Sequence, residues 1–519
     1  AVHDLGSLVV SIRNKGQSIG DVAGHVLNTR VRVLFLAILL IGLTIVLAIF
    51  GVVIAAVFKM FPAAIFPCVI QVPLAVLVGK ILRQGRCSLF FPSCVALFLM
   101  YVAVIYGNVG WLGAFNETLA GLSVMSWVCI LLAYCFVASV LPVTVLLQPR
   151  DYINALQLLT ALLLIVVGVC VAGLIGGAPV DGVRPRLDIV APVFDFDPPG
   201  APILVPFLFI TIACGAISGF HCLVASGTSS KQLRCETDAI SIGYGAMILE
   251  GFLAVLVILA CVAGLGLGVH DADGGVLTGD AAWLARYASW GEAGGLGAKV
   301  GAFVDGASNF LAAMAIPTAV ALALMGVLVA SFAATTLDTA CRLQRYVVQE
   351  LASTISPAWR ETAWSVPGRY VATAVAVLLG GGLATIPATG DAWSWQTAGT
   401  GGLILWPLFG ATNQLLAGLA FLVIAFFLWR RGRPAWFLMI PLLVMLIIPA
   451  WALGLQVFVG TGSESSWWHQ QRWILVGIGV ATLALECWMV VEAMLLWPKV
   501  LRTSFAGNLQ RTHCPKKHS

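Results

Sequence analysis

The sequence predicts an all-α polytopic membrane protein with about 12 transmembrane helices, and three observations predict it. Sixty per cent of the 519 residues are hydrophobic, 10% are charged, and the mean hydropathy is +0.99. A soluble domain carries about 25% charged residues, so the solvent of this chain is lipid. Twelve apolar runs reach the roughly 20 residues that cross a hydrocarbon core. The basic residues fall on alternate sides of those runs, as the positive-inside rule requires.

In chain order the runs are 33–58, 63–82, 87–107, 123–147, 155–175, 203–225, 244–266, 311–338, 370–387, 401–429, 435–455 and 473–497. If the segment before the first is cytoplasmic, all but six of the 28 Lys and Arg are too. The six are Lys59, Arg184, Arg186, Arg286, Lys299 and Arg472. The cytoplasmic set includes Arg13, Lys80, Arg86, Arg150 in the 148–154 loop, Lys231, Arg342 and Arg430. The opening, 1–32, reads as the end of a helix begun further upstream, followed by a cytoplasmic loop. A transmembrane core over 33–430, two further spans over 431–497 and a basic cytoplasmic tail, 498–519, complete the organisation. Two long external segments, 176–200 and 267–310, are rich in Gly, Pro, Asp and Trp and read as surface loops, or as caps over a vestibule.

The net charge of +5 forms no basic face or aromatic-basic array, which argues against a nucleic-acid partner. The 13 cysteines lie mostly inside apolar runs, where they read as small packing residues.

Three runs are more than plain spans. The sixth carries Gly215, Ser218, Gly219, Phe220 and His221 at its centre. Paired glycines, each costing about 1 kcal/mol in a helix, point to an unwound stretch, or to close helix packing through small residues. His221 beside them favours a site. The tenth run gathers Pro407, Gly410, Asn413 and Gln414 within two turns, so a kink and two amides coincide. These amides either bind a ligand or bridge helices.

Ionisable groups at membrane depth are site candidates by default. Glu250, in the seventh run, suits a group that gains and loses a proton; a structural bond to a neighbouring helix is the competing role. Glu486 reads as structural. Asp338 and Arg342, four apart on one helix face, read as a proton-coupling candidate or an interfacial ion pair.

The stretches AVHDL with RNKGQSIG, QPRDYIN, AISGFHCLVASGTSSKQL, IGYGAMILEGF, ATTLDTACRLQRYVVQEL and WPLFGATNQLLAGLAF together resemble the carbon starvation protein A family of bacterial inner-membrane transporters. The resemblance runs to about residue 430. It implies uptake of peptides or pyruvate during carbon starvation, driven by proton symport, with no cofactor. It also implies likeness to the amino acid–polyamine–organocation superfamily, with two inverted five-helix repeats. On that analogy the sixth run is the broken first helix of the second repeat, and its counterpart lies upstream of AVHDL. Ser331, Thr335 and Thr336 then become candidates for a Na⁺ site, against the ordinary role of back-bonding to their own helix. The implied substrate-binding set is Gly215, Ser218, Gly219, Phe220, His221, Asn413 and Gln414, with Glu250 and Asp338 coupling protons.

A membrane-embedded enzyme would need an H-E-x-x-H, a G-x-S-x-G or a similar constellation. The seven histidines are scattered, and no phosphate-binding loop occurs. A nutrient-sensing receptor with a transporter fold is the alternative, although no internal loop is long enough for a signalling domain.

Overall fold

The computed structural model describes residues 2–512, apart from 86–87, 197, 271–274, 292, 294, 389–390 and 462–464. Arg86 and the end of the basic tail, 513–519, lie outside the described residues. Two short helices, Val2–Arg13 (α1) and Ile19–Val26 (α2), precede the first full span, Thr29–Met60 (α3). Then come Ile65–Arg83 (α4), Phe90–Tyr106 (α5), Trp111–Ala120 (α6), Val124–Val140 (α7) and Leu147–Ile175 (α8). A helix in two pieces follows, Phe209–Ala216 (α9) and Gly219–Gly227 (α10). Asp238–Ile240 (α11) passes through a π-turn into Ala246–Leu259 (α12). An antiparallel hairpin, Val269–His270 (β1) against Val276–Leu277 (β2), and Asp280–Tyr287 (α13) lead to Leu296–Ala313 (α14). The remainder is Thr318–Ile355 (α15), Arg360–Trp364 (α16), Val366–Ala384 (α17), Leu405–Arg430 (α18), Trp436–Phe458 (α19) and Trp473–Thr512 (α20).

The centre of the bundle is α18. Apart from Thr412, Asn413 and Gln414 its core stretch is apolar, and Leu408 to Phe427 are buried without interruption, as expected of a helix with no lipid or water face. Around it stand α3, α10, α19 and α20, with α15 packed along α3. Helix α3 starts where Asn28 accepts a hydrogen bond from the Val31 N–H at 2.8 Å, satisfying one orphan donor of the first turn. Helix α2 is capped likewise by Ser18, which accepts from Asp21 N–H at 3.2 Å.

All twelve apolar runs contain helix, but the count of about 12 spans is not reproduced. Among the described residues ten helices are long and apolar enough to cross a membrane, or up to 11 if one bent pair is a single span. That pair is α5 with α6, which meet at 87°. The run 123–147 falls short because α7 stops after 17 residues. Leu141 precedes Pro142 and takes an extended conformation (φ −64°, ψ 151°), which a pre-proline residue favours and a helix cannot use.

Two further expectations are corrected. The segment 267–310 is not simply a surface loop, because α14 forms within it and buries Ala302, Val304, Ala307 and Phe310. Its small residues let it approach the chain at Ala260 so closely that a Cβ on Gly306 would collide with the Ala260 carbonyl. The span expected at 311–338 therefore starts at Thr318, after a reversal at Ala315 (φ 63°) and Pro317. Within 1–32, the part expected as loop folds into α2, which buries Ile19, Val22 and Val26. Ser226 accepts the Ile19 N–H at 3.1 Å, and Ser11 donates to the Ser226 carbonyl at 2.9 Å, so α1 and α2 are tied to the foot of α10.

Candidate functional site

The break between α9 and α10 is real backbone unwinding. Ile217 (φ −143°, ψ 104°) and Ser218 (φ −113°, ψ 128°) are extended. In lipid such a break needs internal partners, and Asn413 of α18 supplies them. Its Oδ1 accepts the Phe220 N–H at 2.8 Å, which is an orphan donor of the α10 first turn. Its amide also exchanges hydrogen bonds with Ser218 Oγ at 3.0 and 3.2 Å and reaches Cys214 Sγ at 3.3 Å. Gly219 serves close packing too, since a Cβ there would meet the Asn413 carbonyl and Leu416. Nothing lies within 4 Å of the position a Cβ on Gly215 would take. Gln414 is fully buried, and its amide makes no hydrogen bond among the described residues.

His221 stands two residues beyond Gly219, on the first turn of α10. Its Nε2 lies 3.9 Å from Glu250 Oε1 of α12, and its Nδ1 lies 3.9 Å from Asp4 Oδ1 of α1. Asp4 is in turn 3.1 Å from His3 Nδ1. His3 is held by its edge-on contact with Phe421, with centroids 4.8 Å apart. Three helices thus place four ionisable groups in one line, His3–Asp4–His221–Glu250. His3 and Asp4 are 2% and 5% exposed, whereas the His221 and Glu250 side chains are 30% and 40% exposed. The line therefore runs from a sealed end to an accessible one. Sequence reasoning chose His221 and Glu250 but passed over His3 and Asp4. They sat in AVHDL, at the very start of the chain, with no periodic context to mark them as buried.

A second polar cluster lies around α15. Asp338 is ion-paired with Arg150 of α8, not with Arg342. It also accepts from the Tyr134 hydroxyl at 2.8 Å, and Arg150 donates to Tyr134 Oη at 2.7 Å. Arg342 turns away to donate to the Ala138 and Leu141 carbonyls at 2.7 and 2.5 Å, where Pro142 has ended α7. The expected pairing fails because a fully buried carboxylate gains more from a guanidinium brought by another helix than from one a turn away. Arg150 is correspondingly no loop residue; it is 2% exposed within α8. Two turns back along α15, Ser331 Oγ lies 2.6 Å from Asn154 Oδ1, 3.3 Å from Gln71 Oε1 and 3.4 Å from Gln157 Oε1. Gln71 and Asn154 hydrogen-bond each other, and Asn154 donates to Thr335. Thr335 and Thr336 both back-bond their own helix, to the Ser331 and Phe332 carbonyls at 3.0 and 3.1 Å. Glu486, on α20, is buried, and its Oε2 makes no hydrogen bond among the described residues.

A cavity of about 490 Å³ lies between α8, α10 and α15. Phe220 lines it from the broken helix, Thr335 and Thr336 from α15, and Asp151 from α8. A second cavity of about 290 Å³ adjoins it through Gln148, Thr228 and Gln232. Both lie at the helix ends that carry the basic loops.

The profile of the carbon starvation protein CstA family matches residues 1–452. The chain belongs to the CstA family. Among curated CstA-family relatives, a protein named peptide transporter CstA from Mycobacterium tuberculosis is 31% identical over 90% of this chain and 64% of its own length. The Escherichia coli protein of the same name is 31% identical over 86% of this chain and 66% of its own. A second Escherichia coli relative, named pyruvate/proton symporter BtsT, is 29% identical over 88% of this chain and 68% of its own. The chain thus spans about two thirds or less of the length of most of these relatives. Among solved structures, a mutant of the Eremococcus coleocola manganese transporter aligns over 95% of this chain and 94% of that one, at 10% identity and a TM-score of 0.40. That likeness is too distant to carry an argument. Family membership, with ten candidate spans, makes this a multi-pass membrane protein of a transporter family.

Proposed function

We propose that this chain forms the core of a proton-coupled secondary transporter that imports small organic nutrients, peptides or pyruvate, across the bacterial inner membrane during carbon starvation. The observation that carries the reading is His221, poised 3.9 Å from both Glu250 and Asp4 beside an unwound membrane helix. A distance of 3.9 Å is that of an ion pair and too long for a hydrogen bond. A small shift of α10 against α1 or α12 therefore makes one contact and breaks the other. That is what alternating access needs of a coupling group: the protonation state and the position of the broken helix bias each other. Relatives named as peptide transporters and as a pyruvate/proton symporter support the substrate range and the coupling ion. The inverted-repeat arrangement belongs to the same proposal, with α9–α10 as the broken helix of its second half.

Sodium coupling through Ser331, Thr335 and Thr336 is the less favoured reading. Both threonine hydroxyls are engaged by their own helix, and Ser331 is bonded into the amide cluster. The test is uptake of pyruvate and of dialanine into proteoliposomes, with and without an inward proton gradient. Accumulation that a protonophore collapses supports symport. Binding without flux under every gradient favours a nutrient-sensing receptor, and flux that follows Na⁺ alone returns the coupling site to Ser331.

A further inference from the structure

The last helix carries an acid that no neighbouring charge neutralises. On α20, Leu475, Gly479, Thr482, Glu486, Met489 and Ala493 are buried and follow one another at alternating four- and three-residue spacing, which makes them one face. Contacts at its two ends show what that face meets. A Cβ on Gly479 would come within 2.7 Å of Val457 Cγ2 of α19. One turn past Ala493, Trp497 lies against Trp429 of α18, with ring centroids 4.5 Å apart. Glu486 sits between these contacts and is 4% exposed, so its carboxyl is enclosed in the seam. Among the described residues it forms no ion pair, and its Oε2 makes no hydrogen bond. The hydroxyl of Thr482, one turn away, is spent on the Ile478 carbonyl at 2.8 Å.

The helices packed on α20 are α3, α18 and α19. From Val33 to Phe58 of α3, from Leu405 to Trp429 of α18, and along all of α19 there is no Lys, Arg, His, Asp or Glu. The cations at the helix ends are committed or remote. Arg30 is paired with Glu492 and Arg32 with Asp21, Arg430 donates to the His25 carbonyl, and Lys59 ends α3 on the opposite side of the membrane. On α20 itself, Glu492 is held by Asn28 and Arg30, and Cys487 is exposed.

We infer that Glu486 is a proton-binding site of its own, separate from the His3–Asp4–His221–Glu250 line, and that its bound proton seats α20 on the bundle. A buried carboxylate without a cation is among the costliest groups a fold can hold, whereas the neutral acid forfeits only hydrogen bonds. Loss of the proton therefore drives the side chain out of the seam and loosens α20 from α18 and α19. Helix α20 lies beyond residues 1–452, the stretch that the family profile matches. The inference does not rest on the transport reading.

The test compares the purified full chain with Glu486→Gln, which has the shape of the neutral acid and cannot ionise. Infrared spectra at pH 7 should show a protonated-carboxyl C=O band in the wild type that Glu486→Gln lacks. Thermal unfolding in detergent from pH 5 to pH 8 supplies the second readout. The unfolded chain releases the Glu486 proton and the folded chain keeps it, so the folded state binds more protons and loses stability as pH rises. Relative to the variant, the wild type's folding equilibrium should weaken by up to about tenfold per pH unit, read as a widening gap between the two unfolding midpoints. Identical carboxyl bands, or midpoints that move in parallel across the range, overturn the inference. If Glu486→Gln does not fold, Glu486→Leu serves the same two comparisons. If neither folds, the seam requires the carboxylate itself, and the inference fails. Uptake without proton coupling would remove the transport reading and leave the band in place, whereas proton-driven uptake without the band would do the reverse.

Discussion

Two polar clusters cross this bundle, and they are built differently. Around Asp338 the two charges are buried, Tyr134 is half-buried, and the groups are hydrogen-bonded to one another and drawn from several helices, with Arg150, Tyr134 and Asp338 closed into a triangle. Around His221 the contacts are 3.9 Å long, and two of the four side chains are a third or so exposed. Breaking a closed buried network leaves charges that nothing else can neutralise, so such a network fixes helices in place. A loose line of titratable groups can rearrange at low cost. The comparison separates a clamp from a coupling device, and both are made of residue types that look alike in sequence.

The largest effect should come from the clamp. Arg150→Met leaves Asp338 buried without its cation and should cost about 3–5 kcal/mol, read as loss of folded protein in detergent-based thermal unfolding. Adding Asp338→Leu should recover most of that loss, because removing both charges avoids the orphan. If the double variant is as unstable as the single, the triangle is not the unit that holds these helices.

A smaller stability effect is expected at the break. Asn413→Leu removes the acceptor for Phe220 N–H and the bonds to Ser218, which should cost about 1–2 kcal/mol by thermal unfolding. Transport should fall by more than that loss explains, since the unwound segment loses its support. Activity that falls only in proportion to folded protein would make Asn413 a structural bond and nothing more. Gly306→Ala should cost about 1–3 kcal/mol through the clash with the Ala260 carbonyl, with transport per folded molecule retained. The smallest effect belongs to Thr336→Ala, within about 0.5 kcal/mol, because its hydroxyl only back-bonds its own helix. A large loss of Na⁺-dependent flux in that variant would revive an ion site on α15.

The helices themselves were legible, since period and length mark an apolar span whatever it packs against. What escaped was decided by packing. Helix α14 mixes Gly and Ala with Lys299, Asp305 and Asn309, and its low hydropathy hid a helix that is buried by backbone approach at Gly306. The broken helix was legible because Gly215, Ser218 and Gly219 contradict the apolar run around them, and Asn413 stood out for the same reason. Arg150 and Asp151 escaped because a charge at the edge of an apolar run reads the same whether it faces water or a partner helix. Asp338 was noticed, but its partner lies 188 residues away in sequence, where spacing rules do not reach. His3 and Asp4 needed the fold to bring α1 beside α10.

The most direct test of the coupling role is gradient-driven uptake by Glu250→Gln in proteoliposomes, measured beside substrate counterflow in the same preparation. The account predicts that counterflow persists while proton-driven accumulation is lost. Accumulation at the wild-type rate would contradict it and return Glu250 to a structural role.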